Sequence, residues 1–386
     1  MLKSLINNFK KRSKTLSIAM YALLVIGTLM IASASMGEAV GELNVITNAI
    51  KKQAIIVVLS LLLYYVFLFI DFQKLPIHYF TYVYIALVIM LFIPRAFSPV
   101  NGAYAWISLG PISFQPSEFC KVFMIANGAR LFDKDYKENN KSTFLFYGGE
   151  AIIMVGIIFF IQHDTGSALI LAAICYLLMF IPEYKEYKKY DWYMFLGLLI
   201  ILVLFALSFS PAIMNFIDQH FDGYIWKRIT NAANPFKERY DSGYHLVMSL
   251  VSFANGGWFG LGYGNSIHKY MNFPNPTNDF ILPIIVEEFG IIGFIVIVFL
   301  YAVILSTLMY YSINSNKYYI KLALFGTFLY VLLHFILNVG GVSGFIPLTG
   351  IPLLLLSSGG SSTMACLIAL GISQRQIIKI KKQNTK

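Results

Sequence analysis

Ten predominantly apolar stretches, each long enough to cross a hydrocarbon core of about 30 Å as a helix, run the length of this 386-residue chain. Their approximate limits are 16–36, 53–72, 77–97, 115–132, 146–162, 165–182, 192–212, 280–312, 321–342 and 349–372. A chain built this way has one solvent in which it folds. With 58% hydrophobic and 12% charged residues, it carries too little polar surface to cover a water-soluble globule of this size. The expected fold is an all-α integral membrane protein of about ten transmembrane helices, forming one polytopic domain over residues 1–386.

The net charge of +10 does not signal nucleic acid, because the basic residues fall in short clusters between the apolar runs. With the amino terminus in the cytoplasm, twenty Lys and Arg lie on the cytoplasmic side and eight outside. That bias follows the positive-inside rule and places both termini in the cytoplasm, residues 1–15 and 373–386 being basic tails. The basic start, its apolar run and Ala32-Ser33-Ala34 look like a secretory signal, but the run is long and more spans follow, so an uncleaved first helix is expected. Cys120, Cys175 and Cys366 lie singly inside apolar runs and read as packing thiols.

Between the seventh and eighth runs lies a connection of about 67 residues, 213–279, on the outer face. Connections this long are functional or disordered. This one holds Trp226, Trp258 and the stretch Gly256-Gly257-Trp258-Phe259-Gly260-Leu261-Gly262-Tyr263-Gly264, which predicts short amphipathic segments folded on the membrane surface. Asn101 to Ser117, with Trp106 and Phe114, reads as a second interfacial element.

Ionisable residues inside spans are costly and so mark function. Glu118 and Lys121 share a helix face at i, i+3, either as an internal ion pair or as working groups, with Ser117 a plausible N-cap. Asp164, in Gln162-His163-Asp164-Thr165-Gly166, is placed to cap the sixth span, a role compatible with chemistry. Asp279 ends the long loop after Pro274 and Pro276, where Asn278 is able to cap the next helix and leave the carboxylate for other work. Glu287 and Glu288 follow about 12 Å deeper and need partners or protons. Phosphate-loop, zinc-protease, CxxC and nucleophile-elbow motifs are absent, and the six histidines have no ligand spacing.

With these segments in view, the chain resembles the SEDS proteins (shape, elongation, division and sporulation), the RodA and FtsW family. The resemblance rests on Asn101 to Ile107 leading into Phe114-Gln115-Pro116-Ser117-Glu118-Phe119-Cys120-Lys121, on Gln162 to Leu169, on Asn234-Pro235-Phe236, and on Gly243-Tyr244-His245. It continues in Asn278-Asp279-Phe280-Ile281 with Glu287-Glu288-Phe289-Gly290, and in Thr349-Gly350-Ile351-Pro352 through Ser357 to Ser362. It implies a ten-helix glycosyltransferase of the bacterial cytoplasmic membrane that polymerises lipid II into peptidoglycan glycan strands, in cell shape or division, beside a class B penicillin-binding transpeptidase. By the same resemblance Asp279 matches the catalytic aspartate, and Lys121, Glu118, Gln115 and Asp164 match positions lining a central cavity; Ser361, in the last motif, joins this substrate-binding set.

The chain departs from the family pattern where one or two basic residues usually precede the loop tryptophan: Tyr104 and Ala105 stand there, so a diphosphate contact must come from elsewhere or is missing. His163, His245, Thr277, Leu354 and Ser358 are further departures. None removes a carboxylate.

Glycan polymerisation needs a base on the attacking sugar hydroxyl and positive charge, or a metal such as Mg²⁺ or Mn²⁺, near the leaving diphosphate. Asp279 is expected to be the base and Lys121 to orient or neutralise the diphosphate, with Glu118 and Asp164 setting its charge or holding a cation. Arg228 is either a second anion contact or an interfacial anchor. Two readings from other classes stay open, a lipid II flippase and a non-catalytic scaffold.

Overall fold

The computed structural model describes residues 11–37, 43–100, 102–110, 112–138, 142–180, 243–271, 273 and 275–383, with a few positions between 192 and 240. The predicted seventh span, 192–212, and Arg228 lie largely or wholly outside the described residues. What is described is mostly helical, with one small hairpin and irregular connections. The helices are α1 Lys14–Ser35, α2 Leu43–Phe69, α3 Ile77–Phe92, α4 Pro116–Glu138, α5 Ser142–Gly156, α6 Thr165–Met179, α7 Tyr244–Gly256, α8 Ile281–Ile313, α9 Tyr318–Val342 and α10 Gly360–Gln383. Six of these segments, all but α4, α6, α7 and α10, are long and apolar enough to span a membrane.

Two boundaries differ from the sequence reading, and both matter for the site. The second helix begins at Leu43, so Lys51 and Lys52 sit on a helix and not in a loop. The last helix begins at Gly360 and runs to Gln383: 349–359 is irregular chain, and most of the segment read as a tail is helical. Apolar residues outnumber polar ones on both sides of Gly360, so hydropathy alone does not locate that start.

The interfacial element before α4 is a two-stranded antiparallel hairpin, β1 Ile107–Leu109 paired with β2 Ile112–Phe114. The long loop contributes α7, a mostly apolar helix packed against α8, and then the glycine-rich stretch. That stretch clasps a break in α8. The 33 residues of α8 would extend about 50 Å as one rod, well beyond a hydrocarbon core. They do not form one rod, because Gly290 has φ 67° and ψ −166° and interrupts the helix.

Backbone groups released by the break are satisfied by the glycine-rich chain. Leu261 N–H donates to Glu287 C=O and Gly262 N–H to Glu288 C=O, each at 2.9 Å, and Ile291 N–H donates to Gly257 C=O at 2.9 Å. The glycines are what allow so close an approach. A Cβ on Gly260 would stand 2.2 Å from Glu288 O, and one on Gly290 2.3 Å from Trp258 O.

At the other end of the molecule the first and last helices are tied together. The Gln374 side-chain amide accepts from Ser13 N–H at 2.9 Å and donates to Ser13 C=O at 2.9 Å, with a further bond to Ser17 Oγ at 3.1 Å. Lys379 pairs with Asp71 at 2.5 Å beside this junction. The start of α1 and the basic end of α10 therefore meet on one side of the bundle.

Candidate active site

A polar cavity of about 260 Å³ lies where five connections of the bundle converge. Its walls come from the start of α2, the hairpin and its approach, residues 163–167 before and within α6, residues 275–279 before α8, and residues 349–362 around the start of α10.

Asp164, Gln115, Glu118, Asp279 and Ser361 all line the cavity, so five of the seven sequence-predicted site residues are brought together. Asp164 does cap α6: its Oδ1 accepts from Ser167 N–H at 3.0 Å. Its Oδ2 accepts from Gln115 Nε2 at 2.7 Å. Capping orients this carboxylate while leaving it on the cavity wall. Ser361 Oγ accepts from Gln115 N–H at 2.8 Å, tying the first turn of α10 to the end of the hairpin.

Ser117 is not the cap expected of it. The helix begins at Pro116, and Ser117 Oγ is buried with no hydrogen-bond partner among the described residues.

Asp279 reaches the wall by the folding of its loop. Asn338, on α9, donates through Nδ2 to Asp279 C=O at 2.9 Å and to Ile351 C=O at 2.8 Å. Asn278 does not cap α8; its Oδ1 accepts from Ser358 Oγ at 3.0 Å, and Ser358 N–H donates to Thr277 C=O at 2.8 Å. The 275–279 loop is thus stitched to the 350s loop by backbone and side-chain bonds. These hold the Asp279 backbone beside the cavity.

Lys121 lies elsewhere. It is 1% exposed and absent from the wall, its Nζ 2.6 Å from Glu118 Oε1 and 3.5 Å from His334 Nε2. His334 Nδ1 lies 2.8 Å from Tyr330 C=O and its Nε2 lies 3.6 Å from Glu118 Oε2, so the ring joins the same buried group. Tyr330 Oη completes the group by donating to Glu118 Oε2 at 3.1 Å. The geometry is that of the internal ion pair, with Glu118 between Lys121 and the cavity. Direct neutralisation of a diphosphate by Lys121 is not what this arrangement offers, and Asp164 bonds Gln115 and Ser167 instead of setting the charge of Lys121.

Glu287 and Glu288 find their partners in the long loop. Glu287 Oε1 is 2.6 Å from His268 Nδ1, and Glu288 Oε1 is 2.9 Å from Lys269 Nζ. Ser33 Oγ on α1 also donates to Glu288 Oε1, at 2.5 Å, so α1, the loop and α8 meet at one buried charge cluster away from the cavity. Both carboxylates are 0% exposed, so the pairing is obligatory.

No group of three or more His, Cys, Asp or Glu among the described residues is placed to hold a metal ion. This donor set does not form a dedicated metal cage. Sequence reasoning missed three features: Lys52 on the wall, and Asn338 and His334 behind it. The last two are lone polar residues inside an apolar span, and their cost in such a place was the available signal.

A model of the FtsW/RodA/SpoVE cell cycle protein family matches residues 14–385. The chain is 32% identical over 299 residues to the probable peptidoglycan glycosyltransferase FtsW of Enterococcus hirae, covering 74% of this chain and 71% of the relative. It is also 32% identical over 289 residues to the stage V sporulation protein E of Bacillus subtilis, covering 74% of each. Its fold is shared with a solved peptidoglycan synthase complex concerned with coordinating polymerization and crosslinking, at TM-score 0.73 and 21% identity over 96% of this chain and 99% of that one. The crystal structure of the rod shape determining protein RodA of Thermus thermophilus superposes at TM-score 0.62 and 20% identity, over 94% and 96%. The resemblance seen in the motifs thus extends over nearly the whole length, and the chain belongs to the FtsW/RodA/SpoVE family of cell cycle proteins.

Proposed function

We propose that the protein is a membrane-embedded peptidoglycan glycosyltransferase that polymerises lipid II into β-1,4 glycan strands at the outer face of the bacterial cytoplasmic membrane. The observation that carries this reading is Asp279 on the wall of a polar cavity shared with Glu118, Asp164, Gln115 and Ser361. Relatives named peptidoglycan glycosyltransferase support it.

In the proposed step, the Asp279 carboxylate takes the proton of a sugar 4-hydroxyl. The hydroxyl oxygen bonds to the anomeric carbon of the second sugar as that carbon's bond to the diphosphate oxygen breaks. The electron pair leaves with the prenyl diphosphate, the α-linkage becomes a β-linkage, and the proton rests on Asp279. Asp164, fixed by Ser167 and Gln115, and the serines of the 358–362 turn supply polar contacts to the saccharides. No step is routed through a metal.

With ten spans alternating across the membrane, the connections and helix ends that line the cavity fall on one face, which favours an enzyme open to one side over a flippase. Arg12, Ser13 and the basic end of α10 come together around Gln374 and Lys381, which supports placing that end in the cytoplasm and the cavity outside. The shared fold with a synthase complex supports a class B penicillin-binding partner.

The test is reconstitution of the purified protein with lipid II in detergent, where no transport is needed. The wild type should produce glycan strands, and Asp279→Asn should retain lipid II binding while losing polymer. Near-normal turnover by the Asn variant would end the assignment, and activity confined to closed bilayers would point to the flippase.

A further inference from the structure

The cavity wall is electrostatically lopsided. Three carboxylates line it, Glu118, Asp164 and Asp279, and a single lysine or arginine among the described residues, Lys52. Lys121, the cation matched to a substrate role by resemblance, is committed to Glu118 and His334 behind the wall. Tyr104 and Ala105 replace the basic residues usual before the loop tryptophan, and Arg95 lies over the Tyr104 ring at 4.0 Å without lining the cavity. Among the lysines and arginines of the described residues, Lys52 is the one full positive charge on this wall available to a diphosphate, set against the three carboxylates.

Lys52 is built to be there. It lies on α2, one turn before Ile56, whose side chain is 1% exposed and would meet a Cβ on Gly360 at 3.3 Å. That packing sets α2 against the first turn of α10, and the i, i+4 spacing puts Lys52 on the same helical face, on the cavity wall that Ser113, Gly360 and Ser361 also line. Lys52 is an exposed residue on this wall, and no ion pair or hydrogen bond links it to another described residue.

We infer that Lys52 is the substrate-binding cation of this cavity, holding the diphosphate of a prenyl-linked saccharide in place of the basic residues missing at Tyr104 and Ala105. The inference rests on the proposed function for its substrate class. It assigns the anion contact to α2, apart from the carboxylates that do the chemistry. Lys52 forms no covalent bond; its charge stabilises the diphosphate when bound and as it leaves.

The experiment uses full-length protein in detergent, with prenyl diphosphate and the corresponding uncharged prenyl alcohol as binding probes and lipid II as substrate. A charge-assisted contact is worth about tenfold to a hundredfold in affinity. Lys52→Met should weaken prenyl diphosphate binding by that factor, leave prenyl alcohol binding unchanged, and raise KM for lipid II more than it lowers kcat. Lys52→Arg should restore binding to within about threefold, and the difference between Met and wild type should shrink at high salt.

Unchanged prenyl diphosphate binding in Lys52→Met overturns the inference, as does equal loss in Met and Arg variants. Binding by wild type that disappears with chelator and ignores Lys52 assigns the anion to a bound divalent cation and also overturns it. If the wild type binds prenyl diphosphate through Lys52 but makes no polymer, the glycosyltransferase reading fails and the anion site stands.

Discussion

Asn338 donates one side-chain amide to two loops at once, to the carbonyl of Asp279 at 2.9 Å and to that of Ile351 at 2.8 Å. The position of the proposed base therefore depends on a residue of α9 that never touches the cavity. Asn338→Leu keeps the volume close and removes both donors, leaving two carbonyls to find other partners, at about 1–3 kcal/mol each if they stay buried. Polymerisation should fall at least tenfold with Asp279 still present, and Asn338→Asp, which loses the donors but stays polar, should not rescue it. Normal initial rates in both variants would show that the loop holds itself.

The Glu118–Lys121 pair behind the wall predicts a non-additive pattern. Lys121→Met strands a buried carboxylate, a loss of about 3–5 kcal/mol by analogy with other buried pairs, read as a lower melting temperature in detergent. Adding Glu118→Gln should recover most of that stability and none of the turnover, because Glu118 also faces the cavity. Recovery of both by the double variant would remove Glu118 from the site.

At the second buried cluster, Glu288→Gln leaves Lys269 without its counter-charge at a position that is 0% exposed. The expected destabilisation is again about 3–5 kcal/mol, with Lys269→Met in the same chain restoring part of it. A double-mutant cycle showing no coupling would contradict the geometry.

Gly290→Ala tests the clasp between the glycine-rich loop and α8. The backbone conformation alone costs about 1–3 kcal/mol for a residue with a side chain, and the new methyl would lie 2.3 Å from Trp258 O. Gly149→Ala, on α5 with open space around it, is the control and should melt close to wild type. Equal melting of the two variants would show that the break does not need glycine.

Topology has a direct measurement. Ser108→Cys, on the exposed side of the hairpin beside the cavity, should react with a membrane-impermeant maleimide on intact cells, and Gln383→Cys only after lysis. The native cysteines Cys120, Cys175 and Cys366 are buried, which keeps the background low. Labelling in the reverse order would put the cavity in the cytoplasm.

Much of the architecture was readable because the length of an apolar run is a local property: α1, α3, α5, α6, α8 and α9 lie close to the expected limits. Asp164 was readable for the same reason, since a cap is settled by its own next three residues. Position 52 was not, because a lysine in the polar first turns of α2 looks in sequence like loop charge. The partners of Glu287 and Glu288 were also hidden. Ser33 joins Glu288 across a separation of 255 residues, and no pattern along the chain announces such a meeting. The first turn of α10 was obscured by apolar chain before it, although Gly359, Gly360 and the serines mark where the backbone changes direction.

The junction of Gln374 with Ser13 and Ser17 bears on biogenesis. Helix α10 also supplies Ser361 to the cavity, so the ribosome must pass Ser361 before the chamber can close and Gln374 before the seam can. Nascent forms that stall before Gly360 will sit in the bilayer with an open flank and no functioning centre, so glycan synthesis waits until α10 has been made and docked.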